Sequence, residues 1–482
     1  MQLRSIISSV VLLPLLGCSS SSGPVHDAPA VGAYGNEPGA SPAVATNPAG
    51  AMPSNSANPS TPSPTGSTAE QPAGGIPLTD GMPMAGGNPM PAAMPPDGMP
   101  MTPTPPAAEQ EECTREFTMP TFAQLQANTK LPDPFTFLDG SKVLTKADWA
   151  CRRKEISLLA QNFIYGRKPP APDAETATFA DGNLNITLTQ AGTTVQFSVP
   201  VQTPAGAGPF PGILSLGGLA STADGVAILN IANASRQFAA APQPRATPAG
   251  DFYRLWPDYT STGSLMAWAW MGSRIVDALL MTTGHNVDTN NLSALGCSRD
   301  GKEAGTIGLF DDRFALVSAQ SPGSGMTSGW RVAESVGTSV QTAGEIYGEN
   351  TWLGAVFQPF SGQNVNKLPV DQHEVLALAW PRPLIMMEGT NDSWNCPLCS
   401  YTTMKYTQLV YQALGSPNDI AFPEPPHTHC AQAGTFSEQY YDTMVSRFLK
   451  DQENVSTAGL FTEGNFMFDA TRWQDGPIPT LQ

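Results

Sequence analysis

Ser298 stands in Gly296-Cys297-Ser298-Arg299-Asp300-Gly301, between a short apolar run and a helical one. A serine forced onto a tight strand-to-helix turn lifts its hydroxyl above a sheet, beside the free N–H groups of a helix N-terminus. Those donors suit a developing oxyanion, so residue type and place point to nucleophilic attack on an acyl carbon. The usual elbow reads G-x-S-x-G; here the second glycine comes one residue later, at Gly301. On the motif alone, a serine in an ordinary strand-to-helix loop is an equally good reading.

A serine nucleophile needs a histidine base, and in hydrolases of this kind it lies after the last strand. His427-Thr428-His429-Cys430 follows the apolar run 420–422 and supplies His429. A Ser–His hydrogen bond brings the two side chains to roughly 3 Å. Cys297 adjoins Ser298 and Cys430 adjoins His429, so their Cα atoms should fall near the disulfide range of roughly 4.4–6.8 Å. A Cys297–Cys430 bridge would staple nucleophile and base together. Cys396-Pro-Leu-Cys399 could be half a zinc site or a redox motif. With no second CxxC and only 5 His in the chain, a local disulfide loop is the better reading. Cys113 and Cys151 complete an even set of disulfide cysteines once Cys18 is set aside. No metal cluster emerges and the chemistry needs no cofactor.

Gly-Cys-Ser-Arg-Asp-Gly-Lys at 296–302 resembles the signature of the glucuronoyl esterases, carbohydrate esterase family 15, and the chain is similar to a bacterial member. The likeness extends through Leu131-Pro132-Asp133-Pro134-Phe135 and Trp149-Ala150-Cys151-Arg152-Arg153-Lys154-Glu155-Ile156. It continues in Gln341-Thr342-Ala343-Gly344-Glu345, Glu349-Asn350-Thr351-Trp352 and His429-Cys430. The resemblance implies an α/β-hydrolase fold and cleavage of esters between 4-O-methyl-glucuronic acid on xylan and lignin alcohols. It also implies Ser298 as nucleophile, His429 as base and Arg299 as a side-chain donor at the oxyanion site. Lys302, Gln341, Glu349 and Trp394 match the uronate-binding positions. Cation and amide suit sugar hydroxyls, and a flat indole suits a sugar ring. Lys302 as a solvated helix charge and Trp394 as core are the structural alternatives.

One position departs from the family. Its pattern often carries Glu after the next strand, in Pro-Gln-Glu-Ser; here the run is Ala319-Gln320-Ser321-Pro322-Gly323. A serine cannot stabilise an imidazolium by charge. Glu388-Gly389-Thr390-Asn391-Asp392-Ser393-Trp394, right after a later apolar run, offers Asp392 as the triad acid. Glu388 reads as structural, Asp311 and Asp312 as a solvated turn, and His285 and His373 as structural, while His427 could support the catalytic loop.

The elements that must hold these residues alternate strand with helix. Strands are expected at 210–216, 291–296, 314–319 and 383–388, and helices at 265–282, 302–310, 401–414 and 438–449. Arg274 and Asp277 would lie on the solvated side of the first helix. The alternation 185–199 reads as an antiparallel hairpin ahead of the main sheet. Such a series predicts an α/β, three-layer sandwich around a mostly parallel sheet.

Residues 1–18 read as a signal peptide ending in Leu15-Leu16-Gly17-Cys18, which resembles the bacterial lipobox acylated on Cys18; cleavage near Gly17 is the alternative. Residues 19–112 have no Lys or Arg and are rich in Pro, Gly, Ser and Met, which predicts a disordered linker. Residues 113–482 are then the catalytic domain. The expected localisation is export, either anchored by lipid at the outer membrane or cell surface, or secreted. The formal net charge of −17 argues against nucleic acid and anionic membrane as partners, so a membrane is met only through the anchor. The expected partners are glucuronoxylan and lignin–carbohydrate ester substrates, and the expected state is a monomer. Two other functions stay open: a carbohydrate esterase of acetyl-xylan or feruloyl type, and a lipoprotein that binds acidic xylan without hydrolysing it.

Overall fold

The computed structural model describes residues 113–217, 224–430, 436–461, 466–474 and 478–481. The expected signal segment with Cys18, and the expected linker, lie outside the described residues. Among the described residues no helix is long and apolar enough to cross a membrane.

Nine strands form one sheet: β1 (Ala174–Ala180), β2 (Asn183–Gln190), β3 (Thr193–Gln202), β4 (Phe210–Ser215), β5 (Ala227–Asn230), β6 (Val287–Leu295), β7 (Phe314–Gln320), β8 (Leu384–Met387) and β9 (Ile420–Ala421). The spatial order is β1-β2-β3-β5-β4-β6-β7-β8-β9. The first three strands are an antiparallel meander, and β3 joins β5 antiparallel. From β5 through β4, β6, β7 and β8 to β9 every pair is parallel. The turn of the β1–β2 hairpin is Asp181-Gly182, with φ of 51° and 72°. Positive φ at both central residues gives the twist that antiparallel neighbours need. This is the mostly parallel α/β sheet that the alternation of elements predicts, in the α/β-hydrolase arrangement that the resemblance implies.

Each central strand sends alternate side chains to opposite faces. Leu214, Val317, Leu384 and Met386 belong to the larger core, which includes the helix Ser264–Met281. Ile213, Leu316, Ile385 and Met387 pack with Tyr441, Met444 and Val445 of the helix Phe436–Phe448. Helix, sheet and helix therefore form the three layers, with strands apolar on both faces.

Two polar expectations need correction. Arg274 is buried, and it pairs with Glu175 Oε2 at 3.1 Å and Asp277 Oδ2 at 2.8 Å. The cause is β1, which packs against the helix Ser264–Met281 on the side expected to face water. Asp311 is buried as well and takes both carboxylate oxygens to Arg313, at 2.9 Å and 2.6 Å, whereas Asp312 is exposed as expected. His285 and His373 are structural: their ring nitrogens bond the backbone at Leu279 and Val287, and at Pro132.

Candidate active site

β6 ends at Leu295 and the helix Arg299–Leu309 begins directly after Ser298, so the serine caps that helix. Its φ of 63° and ψ of −126° lie outside the ordinary regions for a residue with a side chain. Such strain costs on the order of 1–3 kcal/mol and persists only where surrounding contacts over-determine it. Here Ser298 N donates to the Gln320 carbonyl at 3.0 Å, and Lys302 N donates back to Ser298 O at 2.9 Å. The glycine spacing has a steric reason. A Cβ on Gly301 would sit 2.4 Å from the Gln320 carbonyl oxygen of β7, and one on Gly296 would sit 2.5 Å from Asp300 O. Residue 301, rather than 300, is where this helix crosses close to the neighbouring strand.

His429 and Asp392 arrive on two loops that run side by side. Glu388 N donates to Pro423 O, Thr390 N to Pro425 O and Asn391 N to His427 O, each at 3.1 Å. This ladder extends the β8–β9 pairing past the sheet edge. At its end His429 Nδ1 meets Asp392 Oδ2 at 2.6 Å, a little shorter than the roughly 2.7–2.9 Å of a charge-assisted N–H···O bond. Asp392 is buried while the His429 side chain is 45% exposed, so the ring is open to a ligand on one side.

The segments that carry Ser298 and His429 are joined covalently through the residues beside them. Cys297 and Cys430 form a disulfide with Cα atoms 5.8 Å apart. A ring nitrogen of His429 lies within 4.8 Å of both sulfurs. With its thiols consumed, this Cys–His–Cys group is a staple and not a ligand set. The Ser298–His429 hydrogen bond expected from the sequence is not formed among the described residues; what joins the two segments is the Cys297–Cys430 bridge. Cys113–Cys151 and Cys396–Cys399 are also disulfides. The second sits just beyond Trp394 and spans the first turn of the helix Pro397–Ala413.

Lys302, in the first turn of the elbow helix, is only 3% exposed, which excludes a solvated role. Its ammonium stands 4.9 Å from the centre of the Trp352 ring, and among the described residues it makes no hydrogen bond or ion pair. Burial pushes it down to about 8, against the opposing pull of Glu349, Glu388 and Asp392. Nearby, Gln341 Nε2 donates to Glu349 Oε2 at 2.6 Å, and Gln341 N to the Trp394 carbonyl at 3.0 Å. Gln243 Nε2 reaches the other oxygen of Glu349 at 2.5 Å. Trp394 is 47% exposed and is no core residue. Arg299 is exposed and rests on Asp300, with Nε 3.4 Å from Oδ1.

Glu388 is structural: it accepts from Gly323 N at 3.0 Å and from the Thr327 hydroxyl. Burial pushes it up to about 7. Glu424, on the histidine loop, is buried with both carboxylate oxygens unpaired, and burial pushes it up to about 8, helped by Glu388. Sequence reasoning missed Gln243, Asn395 and Glu424. Gln243 sits in a Pro- and Ala-rich stretch with no local signal, and the partners of the other two are far away in sequence.

A mostly parallel sheet, a serine elbow after β6, and an Asp–His pair after β8 and β9 define a serine hydrolase of the α/β-hydrolase class. The family model "Glucuronyl esterase, fungi" matches residues 186–415. A 4-O-methyl-glucuronoyl methylesterase of Cerrena unicolor is 37% identical over 373 residues, covering 73% of this chain and 77% of that protein. The glucuronoyl esterase catalytic domain of Hypocrea jecorina superposes with a TM-score of 0.70 at 34% identity, covering 74% of this chain and 99% of that one. A serine-to-alanine mutant of the Sporotrichum thermophile glucuronoyl esterase, solved in complex with methyl 4-O-methyl-β-D-glucopyranuronate, superposes with a TM-score of 0.66 at 33% identity. It covers 71% of this chain and 93% of that one. The chain belongs to the glucuronoyl esterases, carbohydrate esterase family 15.

Proposed function

We propose that this esterase cleaves 4-O-methyl-glucuronoyl esters between glucuronoxylan and lignin alcohols. Ser298 Oγ attacks the ester carbon as its proton passes to His429 Nε2, and Asp392 stabilises the imidazolium through Nδ1. The tetrahedral oxyanion takes N–H donors from the N-terminus of the helix Arg299–Leu309, with the Arg299 guanidinium as a further donor. His429 returns the proton to the leaving alcohol. Water, activated by the same ring, then releases the uronic acid and frees Ser298.

The observation that carries the substrate class is the buried, unpaired Lys302 ammonium beside the Gln341–Glu349 pair and the exposed Trp394 ring. A buried cation with no hydrogen-bond partner is costly in the empty enzyme and gains hydrogen bonds when sugar hydroxyls arrive. A site for acetyl groups needs no such clamp. The uronate ester bound by the Sporotrichum thermophile relative supports the same reading. The decisive assay compares a benzyl ester of glucuronic acid with acetylated xylan and a feruloyl ester. Activity confined to the glucuronate ester, with Lys302→Ala raising its KM at least tenfold, is expected. Unchanged turnover in that variant would favour an acetyl-xylan or feruloyl esterase.

The non-catalytic alternative arose from Ser321 in place of Glu; the Asp392–His429 bond supports catalysis instead. We further propose export with lipidation at Cys18, a spacer over 19–112, a catalytic domain over 113–482 and a monomeric state. Radiolabelled palmitate incorporation lost in Cys18→Ala is expected; equal labelling of both proteins would contradict the anchor.

A further inference from the structure

Asn395 follows Trp394 in the turn after Asp392 and is buried. Its Nδ2 donates to the Ser321 carbonyl at 3.0 Å and lies 3.4 Å from His429 Nδ1. The first bond fixes which way the amide points, because exchanging nitrogen and oxygen would set two carbonyl oxygens against each other. The other end of the amide is wedged against Gly323. A Cβ there would come 2.4 Å from Asn395 Oδ1, and Gly323 has φ of +55°. The same turn approaches the histidine loop a second time, where Cys430 N donates to Ser321 Oγ at 3.3 Å.

His429 Nδ1 thus has two neighbours with opposite demands. Asp392 Oδ2, at 2.6 Å, accepts a proton, whereas Asn395 Nδ2 can only donate one. A charge-assisted bond is roughly twice as strong as a neutral one, and 3.4 Å lies beyond the usual hydrogen-bond range. Asp392 therefore wins the Nδ1 proton, and Nε2 is left with the lone pair that a base for Ser298 requires. The amide stands at the edge of the ring as a fixed stop.

We propose that Asn395 is a positioning residue of the hydrolysis. It ties the Ser321 turn, where the family pattern would carry a carboxylate, to the edge of the His429 ring, and it keeps Nδ1 on Asp392. This rests on the Ser298–His429–Asp392 reading. It has a geometric consequence: position 395 is within reach of the imidazole, so a carboxylate moved there can address the same nitrogen.

The test uses the full domain and a benzyl glucuronate ester with four proteins: wild type, Asn395→Ala, Asp392→Asn, and Asp392→Asn combined with Asn395→Asp. Loss of the stop lowers kcat of Asn395→Ala about tenfold, the scale of one hydrogen bond, with KM within about twofold. The double variant recovers at least about tenfold over Asp392→Asn, a gain that a merely structural Asn395 would not give. Thermal melts establish that each protein is folded. An unchanged kcat in Asn395→Ala, or a folded double variant no faster than a crippled Asp392→Asn, would overturn the positioning role and leave the triad intact. Full activity in Asp392→Asn would overturn the triad reading and the role of Asn395 with it.

Discussion

The elbow and the acid loop meet at one histidine but are held by different forces. Ser298 is fixed by steric necessity and covalent bonds: two glycines that tolerate no Cβ, a backbone bond to β7, and a disulfide to the residue beside His429. Asp392 is held chiefly by hydrogen bonds, through the 3.1 Å ladder between its loop and the histidine loop, with Asn395 bonded to the Ser321 carbonyl and Ser321 Oγ accepting from Cys430 N. The serine side therefore admits no side chain at Gly296 or Gly301, whereas no such steric limit fixes the position of Asp392.

The comparison can be broken at several points. Asp392→Asn should cost the most, roughly 10³–10⁴-fold in kcat, because Nδ1 loses the charge that holds its tautomer. A loss under tenfold would mean another carboxylate serves. Removing the Cys297–Cys430 bridge should come next. It closes a separation of 133 residues, against 3 for Cys396–Cys399, and chain entropy makes the longer loop the stronger constraint. Double serine replacement of the long bridge should destabilise by about 2–5 kcal/mol, the short bridge by less. Denaturant melts of both variants check the order, and an inverted order would refute it.

Two smaller effects depend on pH. Glu388 and Glu424 keep their protons in the fold up to about 7 and about 8, while the unfolded chain releases them near the ordinary 4.5. Their stabilisation is full below that ordinary value and is lost as pH rises through about 7 to about 8, because the folded state then holds protons the unfolded state has shed. Melting temperature should fall across that window, and Glu424→Gln should flatten the slope. A slope unchanged by that substitution would show that Glu424 does not contribute to it. Lys302 loses its charge above about 8, so KM for the glucuronate ester should rise several-fold between about pH 7 and 9 with kcat little changed. A flat KM would remove Lys302 from the clamp.

Much of this arrangement is legible in the sequence where the signal is local. The 210–216, 314–319 and 383–388 runs are strands because they are buried on both faces, and the pairing of Cys297 with Cys430 follows from their places beside Ser298 and His429. What escapes is non-local. β1 is an edge strand, never fully buried, with the weak pattern Ala-Glu-Thr-Ala-Thr-Phe-Ala, so Arg274 gives no sign that Glu175 will cover it. β9 has only two residues and carries too little pattern to be read. Gln243 meets Glu349, and Asn395 meets Ser321 and His429, across long stretches of chain. The place of Asp392 after an apolar run is local, and it is this place that lets its carboxylate meet His429 Nδ1.

The most direct measurement is hydrolysis of a benzyl or methyl glucuronate ester by residues 113–482, beside Ser298→Ala, with mass spectrometry after a serine-directed phosphonate. The account predicts steady turnover, one adduct on the peptide carrying Ser298, and loss of both in the variant. Turnover that survives in Ser298→Ala, or an adduct on another peptide, would contradict the central claim.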